Sequence, residues 1–296
     1  MLAEVAARGA SQLGEGPLWD HRSGRLWWLD IEGARLHCLE GTEASMIALD
    51  RSITSIGLAP GGRLIASSRA AIGSLDPGTG RFEVLSELGP LDRDVRCNDG
   101  AVDPWGTYWV GTMSETNREG AGSLYALGGR RLRHEASGLT VSNGIAWSLD
   151  RSVMYVVDTP SGAVLAAAVS PDGLEGRRLM PVINTGAVTG VPDGLALDSE
   201  GNLWIAFWGG GCVCAFDPSG RLLERVEVRA RYVTSCCFGG EDFSALFITT
   251  AQYGLTSHEV AAEPDAGSLL HCDVGVRGLP TSLWSPPRDD PPHDAS

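Results

Sequence analysis

Val191-Pro-Asp193-Gly-Leu-Ala-Leu-Asp198-Ser-Glu-Gly201-Asn-Leu-Trp204 is the stretch that decides the fold. An acidic residue opens it, a short apolar run follows, and a turn at Ser199–Gly201 leads into a second apolar run. Followed onward, the unit holds four strands: 194–197, 203–208, 212–216 and 222–228. Gly209-Gly-Gly211 and Asp217-Pro-Ser-Gly220 supply the turns between them. Short runs rich in β-branched and aromatic residues, bounded by such turns, are strands rather than helices.

The same grammar recurs through the chain. Its opening position is held by Glu15, Ser55, Asn98, Asn143, Asp193 and Ser235, spaced 40, 43, 45, 50 and 42 residues apart. Four strands per repeat of about 45 residues, six times over, specify an all-β, six-bladed propeller. A pair of β-sandwiches would not produce six repeats in phase. Residues 1–284 are expected to form this single domain. Glu4-Val-Ala-Ala-Arg8 is placed to add a strand that closes the last blade against the first. The tail 285–296, rich in proline and polar residues, is expected to be coil.

Bulk properties narrow the function. A net charge of −14 with no Lys/Arg run argues against nucleic acid as a partner. No apolar stretch approaches the ~20 residues of a membrane span, and the first residues lack a signal-peptide pattern. A cytoplasmic protein without membrane contact or an obligate protein partner is expected. The odd number of cysteines, seven, fits reduced thiols. Cys212 and Cys214 share a strand face but have no second ligand pair at zinc spacing. The six histidines avoid the repeat openings, and there is no Gly-x-Ser-x-Gly elbow.

All six opening residues carry side-chain oxygen, and in a propeller they face one central channel. Two carboxylates and two carboxamides near one axis call for a cation to offset their desolvation. A metal site in the central channel is therefore expected, and all-oxygen donors suit Ca²⁺, Mg²⁺ or Mn²⁺ best. Asp193 is the expected catalytic base as well as a ligand. Arg96, two residues before Asn98 on an alternating strand, shares its face. It either holds a polyhydroxylated or anionic ligand or pairs with an opening carboxylate. The loop 114–122 is longer than a blade turn requires and is expected over one mouth of the channel.

Leu13-Gly-Glu-Gly-Pro17, Arg96-Cys-Asn-Asp-Gly-Ala-Val-Asp-Pro104, Gly111-Thr-Met113, Ser142-Asn-Gly144, Pro192-Asp-Gly194 and Val233-Thr-Ser235 appear in this order. From Ser11 to Leu283 the chain resembles the senescence-marker-protein/gluconolactonase/luciferin-regenerating-enzyme family, which includes regucalcin. The resemblance implies one divalent cation (Ca, Mn, Mg, Zn or Fe(II)) bound through Glu15, Asn143 and Asp193. It also implies substrate contacts from Arg96 and Asn98, and hydrolysis of a sugar acid lactone. The family often carries a further Glu after Gly-Thr-Met; by counting, Thr116 stands there, with Glu115 beside it. Two alternatives stay open: another hydrolase on the scaffold, phosphotriesterase-like, or a non-enzymatic calcium-binding propeller. Metal binding lowers a carboxylate's basicity, so the base is either Asp193 or a hydroxide on the metal.

Overall fold

A computed structural model describes residues 1–286 of the 296. Six four-stranded antiparallel sheets form the blades, and five are simple meanders. Their inner strands are Gly14–Asp20, Ile53–Leu58, Val95–Val102, Ser142–Trp147 and Val191–Leu197, with Val233–Gly239 in blade 6. Each inner strand packs against the next and the last against the first, which closes the ring. Blade 6 takes its fourth strand from the N-terminus: Glu4–Ala7 pairs with Leu269–Asp273, as the sequence suggested. The fifth blade's strands, Val191–Leu197, Leu203–Trp208, Cys212–Phe216 and Leu222–Glu227, match expectation to within a few residues.

Burial explains the patterns. Second strands such as Leu203–Trp208 lie between neighbouring blades and are apolar on both faces, so they read as continuous apolar runs. Fourth strands such as Glu43–Ala48 are largely exposed. The core is divided into clusters, each filling the gap between two adjacent blades. The gap between blades 6 and 1 holds the smallest, built from Ala7, Leu26, Trp28, Leu39, Phe247 and Leu269. Among the described residues no helix is long and apolar enough to cross a membrane. The seven cysteines are free, and Cys212 and Cys214 lie side by side with Sγ atoms 3.8 Å apart.

Every inner strand carries a register irregularity near its start. In blades 3, 4 and 5 the extra residues are Asn98-Asp99, Asn143-Gly144 and Asp193-Gly194. The glycines have a steric cause, because neighbouring inner strands almost touch there. A Cβ on Gly144 would lie 2.4 Å from Leu195 N, and one on Gly194 would lie 2.1 Å from Ser235 Oγ.

Residues 278–285 run across the opposite mouth of the channel, where the inner strands end. Gly278 bridges to Asp198 of blade 5, and Thr281 Oγ1 donates to the Trp19 carbonyl of blade 1 (2.9 Å). Trp284 N donates to Leu58 O of blade 2 (2.8 Å), and Ser285 N to Gly106 O of blade 3 (2.9 Å). Ser285, where the coil tail was expected to begin, is thus fixed by a backbone bond; 287–296 lie outside the described residues. Leu279, Thr281 and Ser282 form the floor of a channel cavity of about 250 Å³.

Candidate active site

The starts of the inner strands surround the open mouth. Asp193 is 6% exposed and accepts no hydrogen bond among the described residues. Among the described residues, Glu15 Oε2 accepts only from the Gly16 amide, at 2.9 Å. Burial and then the charge of Asp99 push the Glu15 carboxyl up to about 8. Burial, Glu15 and Asp99 together push Asp193 well above the usual carboxylate range. These groups repel one another in a desolvated place, which a cation between them relieves.

Asn143 is oriented on both sides. Its Nδ2 donates to Thr159 Oγ1 (3.0 Å), which leaves Oδ1 to accept from Asn98 Nδ2 (3.1 Å). Asn98 Nδ2 also donates to the Ser142 carbonyl (3.0 Å), while Asn98 Oδ1 accepts from Arg96 Nη1 (2.9 Å). A continuous hydrogen-bonded relay therefore runs from Arg96 through Asn98 to Asn143. Of the residues expected to hold metal, Asn143 is thereby linked to the two expected to touch substrate. Burial lowers the Arg96 pKa, and the charges of Glu115 and Glu32 offset part of that.

Two inner-strand residues differ from the sequence expectation. Ser55 does not offer its hydroxyl to the axis. It is bonded to Ser67 Oγ (2.6 Å) and to Tyr108 OH of blade 3 (2.7 Å), in a buried hydroxyl cluster. Asp99, not foreseen as a channel residue, lines the cavity below Glu15 and Asp193. Strict alternation would turn it away from the face that Asn98 uses; the bulge opposite Gly111 breaks that alternation. Burial pushes its carboxyl up to about 6. The hint in the sequence was that blade 3 has Asp99 where blades 4 and 5 have glycine.

The loop after Ser114 lies at the open mouth, since Ser114 pairs with Val95. Asp94 pins it, accepting from Ser114 Oγ (2.7 Å), Thr116 Oγ1 (3.2 Å) and Arg118 Nη2 (3.1 Å). The Thr116 hydroxyl is thereby taken up within the loop, by Asp94 and Ser114. Glu115 is the acid beside Arg96, 4.0 Å from Arg96 Nε and held by two bonds from Arg69 (2.7 and 3.2 Å).

Among the described residues no group of three or more His, Cys, Asp or Glu side chains is arranged to hold a metal ion. The expected set has two carboxylates, with an amide as its third donor. It fits a hard dication chemically: two buried carboxyls without a counter-cation among the described residues and an oriented amide oxygen at the same mouth, with no sulfur or imidazole in the set.

Residues 13–252 match the model of the SMP-30/Gluconolactonase/LRE-like region. With the propeller and its mouth as described, the chain belongs to this family. It is 34% identical to 6-deoxy-6-sulfogluconolactonase of Pseudomonas putida, over 95% of this chain and 98% of that one. It is 31% identical to regucalcin of Oryctolagus cuniculus, over 90% and 93% of the two chains. The crystal structure of a calcium-binding protein, regucalcin, from Agrobacterium tumefaciens superposes with a TM-score of 0.90. That pair is 28% identical, covering 96% of this chain and 97% of the other.

Proposed function

We propose that the protein is a divalent-cation-dependent lactonase that opens a sugar acid lactone, such as a glucono-, xylono- or arabinonolactone, to its aldonate. The observation that supports this reading is the buried pair Glu15 and Asp193, whose carboxyls burial and neighbouring charge push up without a counter-cation among the described residues, at the mouth that also holds the Arg96–Asn98–Asn143 relay. Glu15, Asn143 and Asp193 would hold the cation, which when bound polarises the lactone carbonyl as a Lewis acid.

This chain's own residues then have distinct tasks. With a dication beside them, Glu15 and Asp193 are ionised. Asp193 accepts a proton from water as the water oxygen bonds to the carbonyl carbon. The ring C–O bond breaks, and the proton passes from Asp193 to the departing ring oxygen. One lactone and one water give one hydroxy acid. Arg96 and Asn98 hold the sugar hydroxyls and so fix the carbonyl over Asp193.

The test is a pH-indicator assay on chelated protein with several five- and six-membered lactones, adding cations back singly. Cation-restored turnover above the spontaneous rate is expected. A chain that binds calcium yet leaves every lactone at the spontaneous rate would instead be a binding propeller, as the name of the Agrobacterium relative allows. Arg96→Ala is expected to raise KM by about ten- to a hundredfold and to lower kcat less, since the guanidinium acts on bound substrate and through Asn98. Steady-state kinetics check this; an effect on kcat alone would remove Arg96 from substrate binding.

A further inference from the structure

The open mouth has two unlike sides. The inner strands follow one another round the axis in chain order, so Val95–Val102 of blade 3 stands opposite Val233–Gly239 of blade 6. The blade 3 side carries Arg96, Asn98, Glu115 and Arg69. The facing side is aromatic. Trp208 ends the second strand of blade 5, in register with Val191, two residues before Asp193. Tyr232 precedes the inner strand of blade 6 and bridges to Trp208. Their rings stack with centroids 4.2 Å apart and planes 19° apart. Tyr253, just beyond the second strand of blade 6, sets its ring 6.4 Å from that of Trp208 at 58°.

The stack is braced from behind. Arg231 lies over Tyr232, 5.9 Å from its centroid, and donates to Glu259 of the helix Ser257–Ala262 (2.9 Å). Trp208 is half-buried, while Tyr253 is 51% exposed. The two rings thus form a fixed corner that opens to solvent beside the carboxylates. Such rings offer a large apolar contact at little entropic cost, and the C–H face of a pyranose is a flat surface of matching kind.

Position selects which ring of a ligand would reach the corner. Trp208 lies one strand outward from the inner ring, about 4.8 Å at ordinary sheet spacing. Trp208 faces Val191, two residues before Asp193, and the corner lies on the side of the mouth away from Arg96 and Asn98. A lactone held over Asp193 with its hydroxyls toward Arg96 and Asn98 thus turns its other end toward the corner. A group attached to that lactone is therefore the one that would lie against Trp208 and Tyr253. We propose that this corner is a subsite for a second sugar ring, and that the enzyme takes glycosylated aldonolactones, that is, disaccharide lactones. The proposal rests on the lactonase reading of the neighbouring carboxylates.

Two measurements test it. In kinetics with cellobiono-1,5-lactone and glucono-1,5-lactone, wild type should use the disaccharide at least as well. Tyr253→Ala should lower the ratio of the two kcat/KM values about tenfold, through KM of the disaccharide, and Tyr253→Phe should restore it. In equilibrium binding read by tryptophan fluorescence, cellobionate should bind about tenfold more tightly than gluconate, and Tyr253→Ala should erase the difference. Equal losses on both substrates, or equal binding of the two aldonates by wild type, would overturn the subsite. If wild type opens no lactone with any cation, the lactonase reading falls, and the binding measurement still decides the subsite.

Discussion

Asp193→Ala is expected to lower cation-dependent lactone hydrolysis by at least about a thousandfold, since it removes the base and one of two anionic cation donors together. The same change should leave the chelated protein at least as stable as wild type. Asp193 is buried and accepts no hydrogen bond among the described residues, and burial with Glu15 and Asp99 nearby pushes its carboxyl up. Folding without a cation therefore forces it to take up a proton, a cost that alanine removes. What should disappear is the thermal stabilisation given by added cation, about 2.7 kcal/mol for wild type at a hundred times Kd. Asp193→Asn separates the two roles, because it keeps an oxygen donor and loses the base. Retained cation stabilisation with lost turnover would fix Asp193 as the proton acceptor. Turnover by Asp193→Ala near the wild-type rate would sink the assignment.

Asp198→Ala should show a comparably large effect, on stability. The Asp198 side chain is fully buried at the end of blade 5's inner strand. It accepts from the amides of Glu200 (2.9 Å) and Asn202 (2.8 Å), from Asn202 Nδ2 (3.0 Å) and from Trp204 Nε1 (2.9 Å). Asp103 makes the same construction in blade 3, with Trp105 N, Thr107 N and Trp109 Nε1. Alanine would strand several of these donors, at a cost of about 3–5 kcal/mol. Urea denaturation measures it, and a loss under about 1 kcal/mol would show that water can replace the carboxylate.

The sequence made the blades legible for a physical reason. Buried second strands must be continuously apolar, a signal that repeats wherever a blade repeats, and in blades 4 and 5 glycine must follow the opening residue because the inner strands nearly touch there. Asn98, Asn143 and Asp193 were readable because each stands first in its bulge. Asp99 was not, because period-two reasoning assigns it to the wrong face. Ser55 misled because its partner, Tyr108, lies 53 residues further on in another blade. The segment across the lower mouth was illegible for a different reason: it is held largely by backbone groups and single side chains, which leave no periodic trace. Glu115 could be told from Thr116 only once Asp94 was seen to claim the threonine hydroxyl.

The N-terminal strand has a consequence for how the chain comes into being. Glu4 pairs with His271, roughly 270 residues later in synthesis. At about 5–20 residues per second a ribosome emits the first strand some quarter-minute to a minute before its partner exists. Five blades can be assembled by then, while the first few residues wait unpaired. Closure falls on the apolar gap with the smallest cluster, so the last event of folding has the weakest hydrophobic drive. Premature capture of that waiting strand by another nascent copy would join two rings by exchange, and a short N-terminal truncation would leave blade 6 with a bare sheet edge.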